Sequence, residues 1–136
     1  MAGQSKAVIL DSWAVLAYFQ NEPAAAAVQK ILLVSQDNGT RLVMTMINAG
    51  EVWYNYARRA STEVANERIQ QLRMTGIEFI EADWDLTKEA AHLKSRYPIA
   101  YADCFAAALA KREGGRLVTG DPEFRRLDKE ISVIWI

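Results

Sequence analysis

Short apolar runs alternating with longer stretches of helical period are what most constrain the fold of this 136-residue chain. The runs are AVIL (7–10), RLVMTM (41–46), IEFIE (77–81), RLVT (116–119) and SVIWI (132–136). Between the first two, DSWAVLAYFQNEPAAAAVQKILLVSQDNG reads as two helices, broken near Pro23 and ended at Gly39. NAGEVWYNYARRA and STEVANERIQQLRMTG read as two more, the second with Val64, Arg68, Ile69 and Leu72 at helical spacing. Asp83 to Arg96 puts Leu86, Ala90 and Leu93 on one face, and YADCFAAALAKREGG carries an Ala102, Phe105, Ala106, Leu109 stripe. Parallel strands need a connection of about a dozen residues or more. Helical insertions of this length therefore predict β-α-β crossovers and an α/β fold with a covered, mostly parallel sheet of about five strands. Such sheets bind ligands beyond the carboxyl ends of their strands.

The chain is 51% apolar and 24% charged, which suits one globular domain over 1–136. A formal net charge of -1 provides no whole-molecule attraction for nucleic acid or an anionic membrane. Binding of either must rest on local basic pairs: Arg58 with Arg59, Lys94 with Arg96, Lys111 with Arg112, or Arg125 with Arg126. Cys104 is the only thiol, so no intramolecular disulfide forms. Asp11 interrupts AVILDSWAVLAYF, which is also too short to span a bilayer. A soluble cytoplasmic protein without a membrane partner is expected.

Four acids fall at or near strand ends or helix starts. Asp11 follows the first strand, Glu51 sits early in the helix after the second, and Asp121 lies two residues beyond the fourth; Asp103 opens a late helix. A parallel sheet brings Asp11, Glu51 and Asp121 to its carboxyl edge, whereas Asp103 needs tertiary help. Each has a plain structural reading. Asp11 and Asp121-Pro122 suit helix N-caps, Glu51 can reach back to the Asn48 amide in a capping box, and Asp103 complements a helix dipole.

Gathered at one edge, however, the four repel. A single pair about 4 Å apart costs roughly 4 kcal/mol at an effective dielectric of 20. Helix N-termini return only about 0.3 to 1 kcal/mol each. A divalent cation is the natural remainder, and an all-oxygen site selects Mg2+ or Mn2+ over zinc. His92, mid-helix beside Ala91 and Leu93, reads as a surface or packing residue.

Asp11 in VILDSWAVLAYF, Glu51 in INAGEVWYNYARR, Asp103 in YPIAYADCFAAALAKREGG and Asp121 in LVTGDPEF resemble, in order and context, the four acidic motifs of the PIN domain. They look most like its VapC-type toxins from toxin-antitoxin pairs, and the resemblance covers nearly the whole chain. It implies a three-layer α/β/α sandwich, a magnesium- or manganese-dependent ribonuclease site and a cognate antitoxin. Asp11, Glu51, Asp103 and Asp121 would then be the metal-binding catalytic acids. Thr119 would support them by hydrogen bonds, with Ser12 and Asn48 as further polar neighbours. Trp13 reads as core and Cys104 as a small apolar filler.

The expected chemistry is in-line displacement at an RNA phosphate by an activated water, with one or two ions and no protein nucleophile. Glu51 or Asp103 is the expected proton acceptor, a choice the sequence leaves open. Arg125 and Arg126, nearest in sequence to an acid, are expected to grip RNA. The aromatic helix at Trp53, Tyr54 and Tyr56 suits base stacking or a partner face, and the partner, either an antitoxin helix or the mate in a homodimer, is the favoured reading. Two alternatives stand beside this reading: a catalytically silent PIN-like binding module, and a phospho-acceptor receiver domain. The receiver lacks its acidic pair, since Asp11-Ser12 ends the first strand.

Overall fold

The computed structural model describes residues 7–136. Its strands are β1 (Val8–Leu10), β2 (Leu42–Thr45), β3 (Glu78–Ile80), β4 (Arg116–Thr119) and β5 (Ser132–Trp135). Its helices are α1 (Ser12–Phe19), α2 (Ala25–Asn38), α3 (Met46–Arg59), α4 (Thr62–Met74), α5 (Trp84–Arg96) and α6 (Tyr101–Glu113), followed by a 3-10 helix at Pro122–Leu127. The strands form one sheet in the order β3-β2-β1-β4-β5, and every pairing is parallel. All five carboxyl ends therefore lie along one edge. The expected α/β/α sandwich is what forms.

Alternation along the strands divides the core into two layers. Ile9, Val43 and Leu117 face α5 and α6, where Leu86, Ala90, Leu93, Phe105 and Leu109 are buried. Val8, Leu10, Leu42, Met44 and Val118 face α1 to α4, against Val15, Val28, Leu32, Val52 and Leu72. Ala106, Ala107, Ala108 and Ala110 are all buried, so α6 is apolar nearly all round and lies close against the sheet. Gly114 ends that helix in the left-handed conformation, at φ 60. The break expected near Pro23 occurs at Asn21, whose φ of 51 turns the chain between α1 and α2.

Two expectations need correction. α3 starts at Met46 rather than near Asn48, because Thr45 is its N-cap and accepts a hydrogen bond from the Asn48 N–H at 3.0 Å. The aromatic helix is also less free than its sequence suggests. Tyr56 is buried edge-on against Phe19, and the Trp53 indole donates to Asn66 of α4 at 2.9 Å. Only Tyr54 of the three is exposed, beneath the Arg58 guanidinium. The periodic stripe of α3 is spent on packing within the chain.

Candidate active site

β1 delivers Asp11 to the carboxyl edge, where it caps α1 and is buried. Its Oδ1 accepts from the Ala14 N–H at 2.8 Å, and its Oδ2 accepts from the Thr119 hydroxyl. The same Thr119 oxygen accepts from the Asp121 N–H at 3.0 Å. One buried hydroxyl at the end of β4 thus holds the first and last acidic segments together. Burial pushes the Asp11 carboxyl up to about 7, against the Thr119 and Ala14 hydrogen bonds and with the charges of Asp103 and Asp121 adding to the rise.

Glu51 comes from the second turn of α3. It accepts at Oε1 from the Ser12 hydroxyl at 2.8 Å and from the Asn48 amide at 3.2 Å. The capping-box reading fails here, since Asn48 lies inside the helix and its backbone N–H is taken by Thr45. Asn48 is buried, accepts from the Thr45 hydroxyl at 2.6 Å, and donates through the same amide nitrogen to the Ala102 carbonyl at 3.2 Å. This last bond ties α3 to the first turn of α6, which supplies the tertiary help that Asp103 requires. Thr45 was not foreseen; its signal is the Thr-x-x-Asn spacing at the strand-to-helix junction.

Asp103 is half-buried, and among the described residues its carboxylate accepts no hydrogen bond. Burial pushes it up to about 7, followed by the charges of Asp121, Glu51 and Glu123. Glu123 is thus a fifth acid at this edge, two residues after Asp121 in the motif already singled out. Asp121 caps the 3-10 helix, with Oδ1 accepting from the Glu123 N–H at 3.0 Å and Pro122 in the first position. Both plain readings, the caps at Asp11 and Asp121, therefore hold together with the clustering. Trp13 is half-buried and does more than fill space: a Cβ at Gly120 would fall 2.2 Å from its ring. The ring packs on the backbone between Thr119 and Asp121, and only glycine fits beneath it.

The acids share one electrostatic neighbourhood without closing into a cage. Among the described residues, no three Asp, Glu, His or Cys side chains stand ready around one point. Asp11, Glu51 and Asp121 are each turned onto donors of their own, which accounts for this. As a donor set the group suits a hard cation: carboxylate oxygens, two of them on acids driven to about 7 by burial and mutual charge. Soft ligands are absent from it. His92 is exposed on α5, and Cys104 faces the core with its thiol pushed up to about 11 by burial. A cavity of about 620 Å3 lies at the opposite end of the sheet, between α2 and β5, and none of the acids lines it. Arg125 and Arg126 are exposed on the 3-10 helix that follows Asp121.

A family model described as PIN domain matches residues 8–130. No curated protein matches the chain in sequence. Among solved structures, VapBC2 of Rickettsia felis, bound to a DNA fragment from its promoter, is 18% identical over 95% of this chain and 98% of its own, with a TM-score of 0.76. DNA-bound VapBC from Salmonella typhimurium is 15% identical over 95% and 97%, with a TM-score of 0.76. VapC20 of Mycobacterium tuberculosis, a sarcin-ricin loop cleaving toxin, is 14% identical over 88% and 94%, with a TM-score of 0.70. At these identities the likeness is one of fold. Among the described residues, no helix is long and apolar enough to cross a membrane.

Proposed function

The chain belongs to the PIN domain family, and on that premise we propose that it is a metal-dependent endoribonuclease, the toxin of a toxin-antitoxin pair. The observation that carries the reading is the gathering of Asp11, Glu51, Asp103, Asp121 and Glu123 at one edge, with two of them pushed up to about 7. A fold retains such repulsion where a site needs it.

Asp11, Glu51, Asp103 and Asp121 would hold Mg2+ or Mn2+, reached by rotating carboxylates that now rest on local donors. When bound, the ion supplies charge stabilisation for displacement at a phosphodiester. The chain's own residues do the rest. Thr119 and Ala14 fix Asp11, while Ser12 and Asn48 fix Glu51 by two hydrogen bonds to one oxygen. Asp103, whose oxygens carry no donor among the described residues, is the group open to accept a proton from an attacking water. Glu51 is the poorer choice because Oε1 is already engaged twice.

RNA as substrate, a small antitoxin as inhibitor, a homodimeric state, a cytoplasmic location and one nuclease domain over 1–136 belong to the same proposal. The similar VapBC complexes support the partner, and the sarcin-ricin loop cleaving toxin supports the substrate class. The test is cleavage of RNA by purified protein in Mn2+ or Mg2+, with EDTA and Asp121→Asn as controls. Metal-dependent cleavage lost in the variant is expected. A folded wild type that binds RNA but cleaves none in either metal would establish the silent binding module instead.

A further inference from the structure

An RNA strand approaching this edge meets five carboxylates, so a nearby cation must hold its phosphates. Several basic groups elsewhere are committed. Arg41 pairs with Glu78 and Glu113, Arg96 and Lys111 with Glu130, and Arg112 with Asp83. Lys94 donates to the Ile99 carbonyl at 2.7 Å. Arg125 lies on the 3-10 helix that follows Asp121; among the described residues no carboxylate pairs with it, and its guanidinium lies over the Trp135 ring, 4.6 Å from the centroid.

Trp135 is the last residue of edge strand β5 and stands opposite Thr119 in register. Thr119 is the residue whose hydroxyl contacts Asp11. One strand spacing, about 4.8 Å, therefore separates the backbone bearing this ring from the backbone bearing the acid-linked hydroxyl. Trp135 is 40% exposed, and Arg125 is exposed beside it. An aromatic face and an uncommitted guanidinium, side by side, suit an unpaired base and its phosphate.

We infer that Arg125 and Trp135 form a nucleotide subsite beside the acids, where an unpaired RNA base stacks against the pair and the guanidinium holds an adjacent phosphate. The inference rests on the nuclease reading for its substrate, but its test does not require cleavage. A labelled single-stranded oligoribonucleotide is titrated in EDTA against wild type, Trp135→Ala, Trp135→Phe and Arg125→Ala, with anisotropy as readout and thermal midpoints checking the fold. Trp135→Ala is expected to raise Kd about tenfold, and Trp135→Phe to stay near wild type. Neither should change affinity for a duplex of the same sequence. Arg125→Ala should flatten the slope of log K against log salt by about 0.7, and it gives the reading if truncating Trp135 disturbs folding.

Where the protein cleaves, KM should rise in Trp135→Ala with kcat unchanged. Unaltered Kd in both truncations, equal losses on single strand and duplex, or no RNA binding by wild type would each overturn the subsite. Loss of affinity for a protein partner with RNA affinity intact would also overturn it, assigning the pair to a protein interface. Binding dependent on Trp135 without cleavage would leave the subsite standing while the nuclease reading fails.

Discussion

At the amino end of the sheet and along its helical flank, Arg41 bridges Glu78 and Glu113, Lys111 bridges Glu89 and Glu130, and Arg112 reaches Asp83. At the carboxyl end Asp11, Glu51, Asp103, Asp121 and Glu123 face one another, and among the described residues none has a cationic partner. The chemical consequences are opposite. Lys111 and Tyr97, hydrogen-bonded to Glu130, hold its carboxyl down at about 2, while burial and like charge hold Asp11 and Asp103 up at about 7. A chain that pairs acids at one end has the means to pair them at the other. Leaving them unpaired costs stability, a pattern that clusters at functional sites.

The largest expected effect tests whether the unpaired end is functional at all. Asp103→Asn should reduce RNA cleavage on the order of 1000-fold while leaving the thermal midpoint in EDTA equal or higher, because it relieves repulsion. Retained cleavage would remove the distinction between the two ends. Thermal or denaturant stability against pH comes next. In the folded protein Asp11 and Asp103 keep a proton to about 7, but the unfolded chain releases it near 3.9. Their stabilising contribution is complete below about pH 4 and is lost as pH rises to about 7, with a slope of at most about 1.4 kcal/mol per pH unit for each group.

Glu130 runs the other way, contributing above about pH 4 and losing that contribution as pH falls toward 2. Mg2+ or Mn2+ should flatten the carboxyl-end slope and leave the acid-side loss from Glu130 in place. If the metal moves both or neither, the assignment of the two signs to two ends fails. Thr119→Val should lower unfolding free energy by about 1 to 3 kcal/mol, since it strips a buried hydroxyl from Asp11 and from the Asp121 N–H. The smallest effect belongs to the paired end. Arg41→Ala should change stability by no more than about 1 kcal/mol and leave cleavage alone.

Much of this was legible because it is local. The short apolar runs and helix-period stretches fall where strands and helices form, and Asp11 and Asp121 read correctly as caps because a cap needs only neighbours in sequence. Thr45 displaced Asn48 as the cap of α3 because capping choice depends on where the strand leaves the sheet. Trp13 against Gly120 could not be read at all, since the contact joins residues 107 positions apart through the β1–β4 pairing. Glu123 lies in the LVTGDPEF motif, but its spacing from Asp121 is equally that of a helix first turn, so the sequence does not mark it as a member of the site.

Element order, the parallel sense of the sheet and the arrival of three acids at its carboxyl edge follow from the sequence, because connection length and hydrophobic period act over short stretches of chain. Tertiary structure decided what those acids became. The bond from Asn48 to the Ala102 carbonyl sets Asp103 among them, burial and mutual charge raise two of their pKa values, and β4–β5 register places Trp135 beside Thr119. Desolvation and Coulomb energy depend on distance through space, which no single stretch of sequence contains.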